Sequence, residues 1–296
     1  MKFIRYSIIL LICFPCVFLL DSCSRCNRQQ TIEDVSLEID LSGLSADSFY
    51  ISMGHKILYS MPTPIEASML IKNWGVPGAT LMNDPANVSG YLTKKKMALN
   101  FGVYITDMST AGLYEQAQTV LSYKKAIVQL IDGLGLQAAI DSKIMQKIED
   151  NVHNKNELLN IISDVYASCT QYLTEDDRRF YALAILTGGW IEGMYIATSM
   201  IDEKQTSNQD KIKTLISDNK KTFDLLWEEL SRLDDIPEDA ASLMFDMSYI
   251  AHLFGHETLV SFPIKSENID IDNISPQFFA ELKNYIHQLR YQFTKK

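Results

Sequence analysis

The sequence predicts an all-α protein: one irregular multi-helix bundle of about nine helices, preceded by a signal peptide and a tether. Three observations carry this. From residue 61 onward apolar side chains recur at three- and four-residue intervals, the period of a helix with one face turned inward. Proline and glycine stand mostly at the edges of those runs, where helices start and stop. The connections are mostly short, which favours neighbouring helices in one bundle over separate domains.

The elements follow in order. In "SMPTPIEASMLIKNWG", Thr63, Pro64 and Glu66 form a capping box with proline at the first helical position, and Gly75 ends the helix. Asp84 and Pro85 repeat that logic ahead of a stripe of Met97, Phe101, Ile105 and Met108. Leu113, Ala117, Val120, Ile127, Ile131 and Leu134 form the next stripe, closed by Gly133 and Gly135. Ile140, Ile144, Ile148 and Val152 predict a fourth helix, and Leu158, Ile162, Val165, Cys169 and Tyr172 a fifth. Thr174 with Asp177 is expected to cap a sixth, which runs through "LTGGWIEGMYIATSMI" at 186–201. Ile212, Ile216, Phe223, Trp227 and Leu230 mark a long seventh. Asp235 and Pro237 open an eighth that reaches Leu253, and Ser275-Pro276 open a ninth with Phe279, Leu282, Ile286, Leu289 and Phe293 as its stripe. Strand is hinted at in only two places, "VSLEIDL" at 35–41 and the long 255–275 connection. No fixed-period repeat is present.

The N-terminal residues read as a targeting segment rather than fold. Lys2 and Arg5 precede the uncharged run "IILLICFPCVFLL", which is short for a bilayer span but fits a signal-peptide core. Leu20-Asp21-Ser22-Cys23 resembles a bacterial lipobox, with Cys23 as the lipidated residue; Asp21 departs from the usual small or apolar residue. An ordinary cleaved signal or an uncleaved anchor is the alternative. The expected organisation is a lipoprotein signal peptide at 1–22, a tether and short N-terminal segment at 23–60 with one possible strand, and a helical domain at 61–296. Ser24 resembles outer-membrane sorting. Glu33-Asp34 lies well beyond Cys23, which favours the periplasmic face and leaves surface display open.

Composition narrows the function classes. The 296 residues are 47% hydrophobic and 22% charged, enough for a sizeable core. A net charge of −10 argues against nucleic-acid partners. Cys13-x-x-Cys16 and Cys23-x-x-Cys26 have zinc-ribbon spacing, but three of these cysteines would be removed or lipidated, so no zinc is expected there. Cys169 reads as a small core residue. Phosphate loops, dinucleotide fingerprints and nucleophile elbows are absent from the sequence, and no cofactor is expected.

Three groups could carry chemistry. Glu192 sits in a glycine-containing helix. With Trp190 at the front of a helical wheel, Leu183, Leu186, Met194, Ala197 and Ile201 fall within roughly 40° of it. Gly189, Gly193 and Ala197 form a small-residue flank for close helix packing, while Glu192 falls towards the back with Gly188, Tyr195 and Ser199. The wheel favours a structural or solvated Glu192; the competing reading is a pocket carboxylate with a shifted pKa. Asn100, Tyr104 and Asp107 share one polar edge, suited to an interhelical contact or to a cleft wall. His252 and His256 are four apart and weak metal candidates, but Gly255 intervenes and the order is not His-Glu-x-x-His. Helix-end histidines near the dipole are the plainer reading.

The stretches "MPTPIEASMLIKNWG", "LMNDPANVSGYLTKKKMALNFGVYITDMSTA" and "LTGGWIEGMY" together resemble a set of uncharacterised all-helical lipoproteins of Bacteroides-type bacteria. That set reads more like "ALNLGVYGADLSYA" over 98–111. Here Ile105 and Thr106 replace a small pair, and Thr110 stands where an aromatic is common. The resemblance implies an envelope compartment and an all-helical architecture, and it carries no activity.

The functional expectation is therefore a lipid-anchored, non-enzymatic envelope protein that binds an envelope protein or a small-molecule ligand. The alternative is an envelope hydrolase, in which at least two of Asp107, Glu192, His252 and His256 would have to converge on one cleft. A purely structural envelope protein is a third, weaker reading.

Overall fold

The computed structural model describes residues 81–141, 143–201, 208–233, 238–258, 262 and 274–296. All lie within one compact unit, Leu44–Lys296. The signal peptide, Cys23, Cys26, the tether, the 35–41 segment, the Thr63–Gly75 helix, Asp235 and Pro237 fall outside the described residues, as does most of the 255–275 connection.

Every regular element among the described residues is helical. Asp84 accepts from the Ala86 N–H and, with Pro85 at the first position, starts the 3-10 helix Pro85–Gly90. That short element is separate from the α-helix expected to continue it. Thr93 caps a new start, its hydroxyl accepting from the Lys96 N–H, and α1 runs Lys94–Leu113. α2 is Ala117–Leu134, closed by Gly135 at φ 68°, the left-handed cap expected of glycine. A second 3-10 turn, Gln137–Ala139, leads to the short α3, Ile144–Asp150. Ile140 and Val152 lie outside that helix, and Ile148 is its buried anchor.

α4 is Lys155–Glu175 and α5 is Arg179–Ser199. The expected Thr174–Asp177 cap does not form. Thr174 donates back to the Thr170 carbonyl inside α4, Asp177 turns the chain at φ 55°, and α5 starts without a side-chain cap. α6 is Gln209–Ser231, α7 is Glu238–Leu253 and α8 is Pro276–Thr294. Ser275 caps α8 as its sequence predicts, accepting from the Phe278 N–H at 3.1 Å. Ser275→Ala is expected to lower unfolding free energy by about 1 kcal/mol, measurable by urea denaturation.

α1 and α5 form the centre, and the other helices surround them. α2 packs on α1; α4 and α8 pack on both; α6 lies against α5, and α7 joins α6 to α8. The single stripe predicted for α1 is too narrow: every residue from Ala98 to Leu113 is buried, so the helix is enclosed on all sides. α5 is apolar and long enough to cross a bilayer by length and composition, but it is mostly buried inside the bundle, the position of a core helix. Cys169 is a free, fully buried thiol, and burial pushes its pKa up to about 12.

Glycine sets the distance between α1 and α5. A Cβ on Gly102 would stand 2.0 Å from the Ile185 carbonyl oxygen, and one on Gly188 would stand 1.9 Å from that of Leu99. A Cβ on Gly189 itself would meet only ordinary contacts, the nearest at 3.5 Å. α1 therefore comes close to α5 at two places: Gly102 against Ile185 and Gly189, on the flank the sequence predicts, and Leu99 against Gly188, on the face that carries Glu192.

Candidate functional site

That packing decides where Glu192 goes. It is 0% exposed, as is Asp107 on α1. The wheel put Glu192 on a back face; the back face is in fact covered by α1 and α8. From α8, Arg290 reaches in and pairs with it in two parallel bonds, Nε to Oε2 at 3.0 Å and Nη2 to Oε1 at 3.0 Å. Nη2 also donates to the Leu81 carbonyl at 3.1 Å. The guanidinium carbon lies 4.5 Å above the Tyr195 ring, a cation–π contact. The Tyr195 ring in turn meets His287 edge-on at 4.7 Å.

Asp107 sits beside this pair. Its Oδ2 accepts from the Asn83 N–H at 3.0 Å. Among the described residues no donor reaches its buried Oδ1, and the Glu192 carboxyl acts on it as a neighbour. Burial, and then the Glu192 charge, push the Asp107 pKa well above the usual carboxylate range, outweighing the opposing pull of Arg290. A proton held on Asp107 turns its carboxyl from an acceptor into a donor towards the Glu192 carboxylate. One shared proton and one guanidinium then balance two carboxyls in a dry interior.

The rest of the polar edge closes over the same spot. Asn83 donates through Nδ2 to Tyr91 Oη at 2.9 Å and to Asn100 Oδ1 at 3.4 Å. Its side-chain oxygen accepts from Asn87, and its carbonyl accepts from Tyr123 Oη at 2.7 Å. Tyr104 donates to the Asp84 carbonyl at 3.0 Å. Asn100 Nδ2 donates to the Lys96 and Phe293 carbonyls. Tyr91, Tyr104 and Tyr123 pack in sequence with tilted rings, centroids 6.1 and 5.5 Å apart, and burial raises the pKa of all three phenols. Residues 81–84 are thus held across the cluster by α1, α2 and α8 together.

Of the sequence candidates, Asn100, Tyr104, Asp107, Glu192 and Tyr195 converge. The histidines do not join them. α7 ends at Leu253, Gly255 takes φ 85°, and the His256 N–H donates back to the Ala251 carbonyl, so His252 and His256 do not share a helical face. His256 Nε2 lies 2.7 Å from Asp224 Oδ1, and His252 packs near the rings of Tyr249 and Phe262. Among the described residues no group of three or more His, Cys, Asp or Glu is placed to hold a metal.

Sequence reasoning missed Arg290, Asn83, Tyr91 and Tyr123. A signal for Arg290 exists: Lys283, His287, Arg290 and Thr294 form a polar stripe at helical spacing beside the apolar stripe of the last helix. His287 also meets two hydroxyls, but they do not form a nucleophile pair with it. His287 Nε2 lies 3.2 Å from Thr198 Oγ1 and 3.4 Å from Ser199 Oγ. Both hydroxyls spend their protons on helix carbonyls of α5, so the imidazole faces oxygen acceptors rather than a proton to take.

The Asp107 arrangement has a pH consequence. Its native pKa is raised, so between about pH 4 and that native value the folded chain holds a proton that the unfolded chain has released. Stability therefore falls as pH rises through this window. Asp107→Asn, which keeps the shape and carries no charge, is expected to gain on wild type with rising pH by up to about 1.4 kcal/mol per pH unit. Urea denaturation of both proteins across pH checks this; a difference that stays flat contradicts it.

Comparison with protein-family models, characterised proteins and solved structures found no match to the chain.

Proposed function

We propose that the protein is an envelope lipoprotein, anchored through Cys23 to the outer membrane on its periplasmic face, whose helical domain serves as a non-enzymatic binding or interaction module. One observation supports the non-enzymatic part most. The carboxylates a hydrolase would need are fully buried, and they are engaged by Arg290, by the Asn83 N–H and by each other. Groups used this way hold helices in register and leave no face for a substrate.

A hydrolase remains the second reading because Asp107 and Glu192 do converge, and because two carboxyls in unequal environments are the pattern of a general acid beside a base. The two readings part at one variant. If the cluster is architectural, Asp107→Asn folds and forms the same cross-linked products in intact envelopes as wild type. If the cluster is catalytic, Asp107→Asn folds but loses the cellular function. The anchor has its own test: the intact mass of membrane-extracted protein should lack residues 1–22 and carry acyl chains, and Cys23→Ala should carry none.

A further inference from the structure

A different character of surface surrounds the N-terminus of α1. Its first turn is Lys94-Lys95-Lys96, with no acidic residue in that turn, at the end of the helix where the dipole is already positive. The end of α8 brings Lys295 and Lys296 to the same place: Lys96 Nζ donates to the Gln292 and Lys295 carbonyls, and the Lys296 stem lies against Gly90. Lys96 thus has a structural task. Lys95 touches Ser242 on α7 at 2.8 Å. Lys94 and Lys296 form no ion pair among the described residues, and Lys295 faces the Tyr291 ring. Asp246 is the acidic group whose charge acts on Lys95 and Lys96, and it is itself partly buried.

The apolar part of the surface is as specific. Among the described residues the exposed large hydrophobics are Leu92 at 82%, Phe245 at 63% and Tyr291 at 62%. Leu92 precedes the lysine run, Tyr291 lies one turn before Lys295, and Phe245 lies one turn after the Ser242 that Lys95 touches. The three that are exposed among the described residues stand beside lysines or beside a residue that a lysine touches.

We propose that this end of the domain seats on an anionic bilayer surface, with Lys94, Lys295 and Lys296 on headgroup phosphates and Leu92, Phe245 and Tyr291 in the interfacial layer. A chain of net charge −10 is repelled by an anionic surface unless the contact is confined to a locally positive face. Lysine with exposed leucine and aromatic residues is the pairing that such an interface takes up. The contact does not depend on Cys23; it fixes which face of the domain meets the membrane, whatever holds the chain there.

The test is amine acylation of the full chain, read by peptide mass, on vesicles of phosphatidylglycerol with phosphatidylcholine and on vesicles of phosphatidylcholine alone. Lys94, Lys295 and Lys296 should be protected several-fold on the anionic vesicles only, with protection lost at high salt. The exposed lysines Lys143, just before α3, and Lys147, within it, serve as the reference and should not change. In Lys94→Glu/Lys295→Glu/Lys296→Glu, with helicity unchanged by circular dichroism, Tyr291 should lose its protection from hydroxyl-radical oxidation. Leu92→Ser, which leaves every charge in place, should weaken lysine protection without abolishing its salt dependence. Equal reactivity on the two vesicle types overturns the proposal. So does protection that persists in detergent, which would assign the surface to a protein partner or a second copy.

Discussion

Arg290→Met is expected to destabilise the folded chain by about 3–5 kcal/mol, the scale for breaking a buried pair by removing one partner. The loss has two parts. Glu192 keeps its buried position and loses both charge-assisted bonds, and the Leu81 carbonyl loses its donor. Asp107 and Glu192 are then two adjacent carboxyls with no cation. Without the Arg290 charge that opposes it, the upward push on Asp107 grows, so the variant should lose stability more steeply than wild type as pH rises, and its deficit should shrink in acid. Glu192→Gln/Arg290→Met should be less destabilised than Arg290→Met alone, because it removes the unpaired charge while nearly preserving volume. Urea denaturation of the single and double variants at acid and neutral pH measures all of this. An Arg290→Met deficit within about 1 kcal/mol at neutral pH would mean that the pair is effectively solvated.

Gly188→Ala should cost about 3 kcal/mol or more, at the upper end of overpacking, because the new methyl meets backbone rather than a flexible side chain. Its Cβ would lie 1.9 Å from the Leu99 carbonyl oxygen and 2.7 Å from the Leu99 carbonyl carbon. The helices can accept it only by moving apart, and α1 and α5 are the two that carry Asp107 and Glu192. Gly189→Ala, one residue along, meets nothing closer than 3.5 Å and gains helix propensity, so it should lie within about 1 kcal/mol of wild type. Thermal unfolding of the two variants side by side provides the check. Equal effects would show that the glycines act through propensity rather than through helix separation.

These residues also mark what can be read without a structure. Helix edges set by local chemistry were legible: Ser275-Pro276 and Gly135 act as the sequence predicts, because a cap is made by residues a few positions apart. The polar edge of Asn100, Tyr104 and Asp107 was legible for the same reason. Thr174 misled because a threonine in a last turn can bond back to its own helix as readily as it caps the next. Glu192 misled for a deeper reason. A wheel finds the buried face of a helix only when one face is exposed, and α5 is enclosed nearly all round, so its front and back are equally internal. What makes Glu192 tolerable there is Arg290, 98 residues away, and no local pattern announces that partnership.

Asp107, Glu192 and Arg290 form one closed electrostatic unit. Carbon-13 carboxyl NMR of aspartate-labelled protein, titrated in the folded state, tests it most directly. Asp107 should titrate above the ordinary carboxylate range in wild type, and its midpoint should drop in Glu192→Gln as the neighbouring charge is removed. An Asp107 midpoint in the ordinary range, indifferent to Glu192→Gln, would contradict the account.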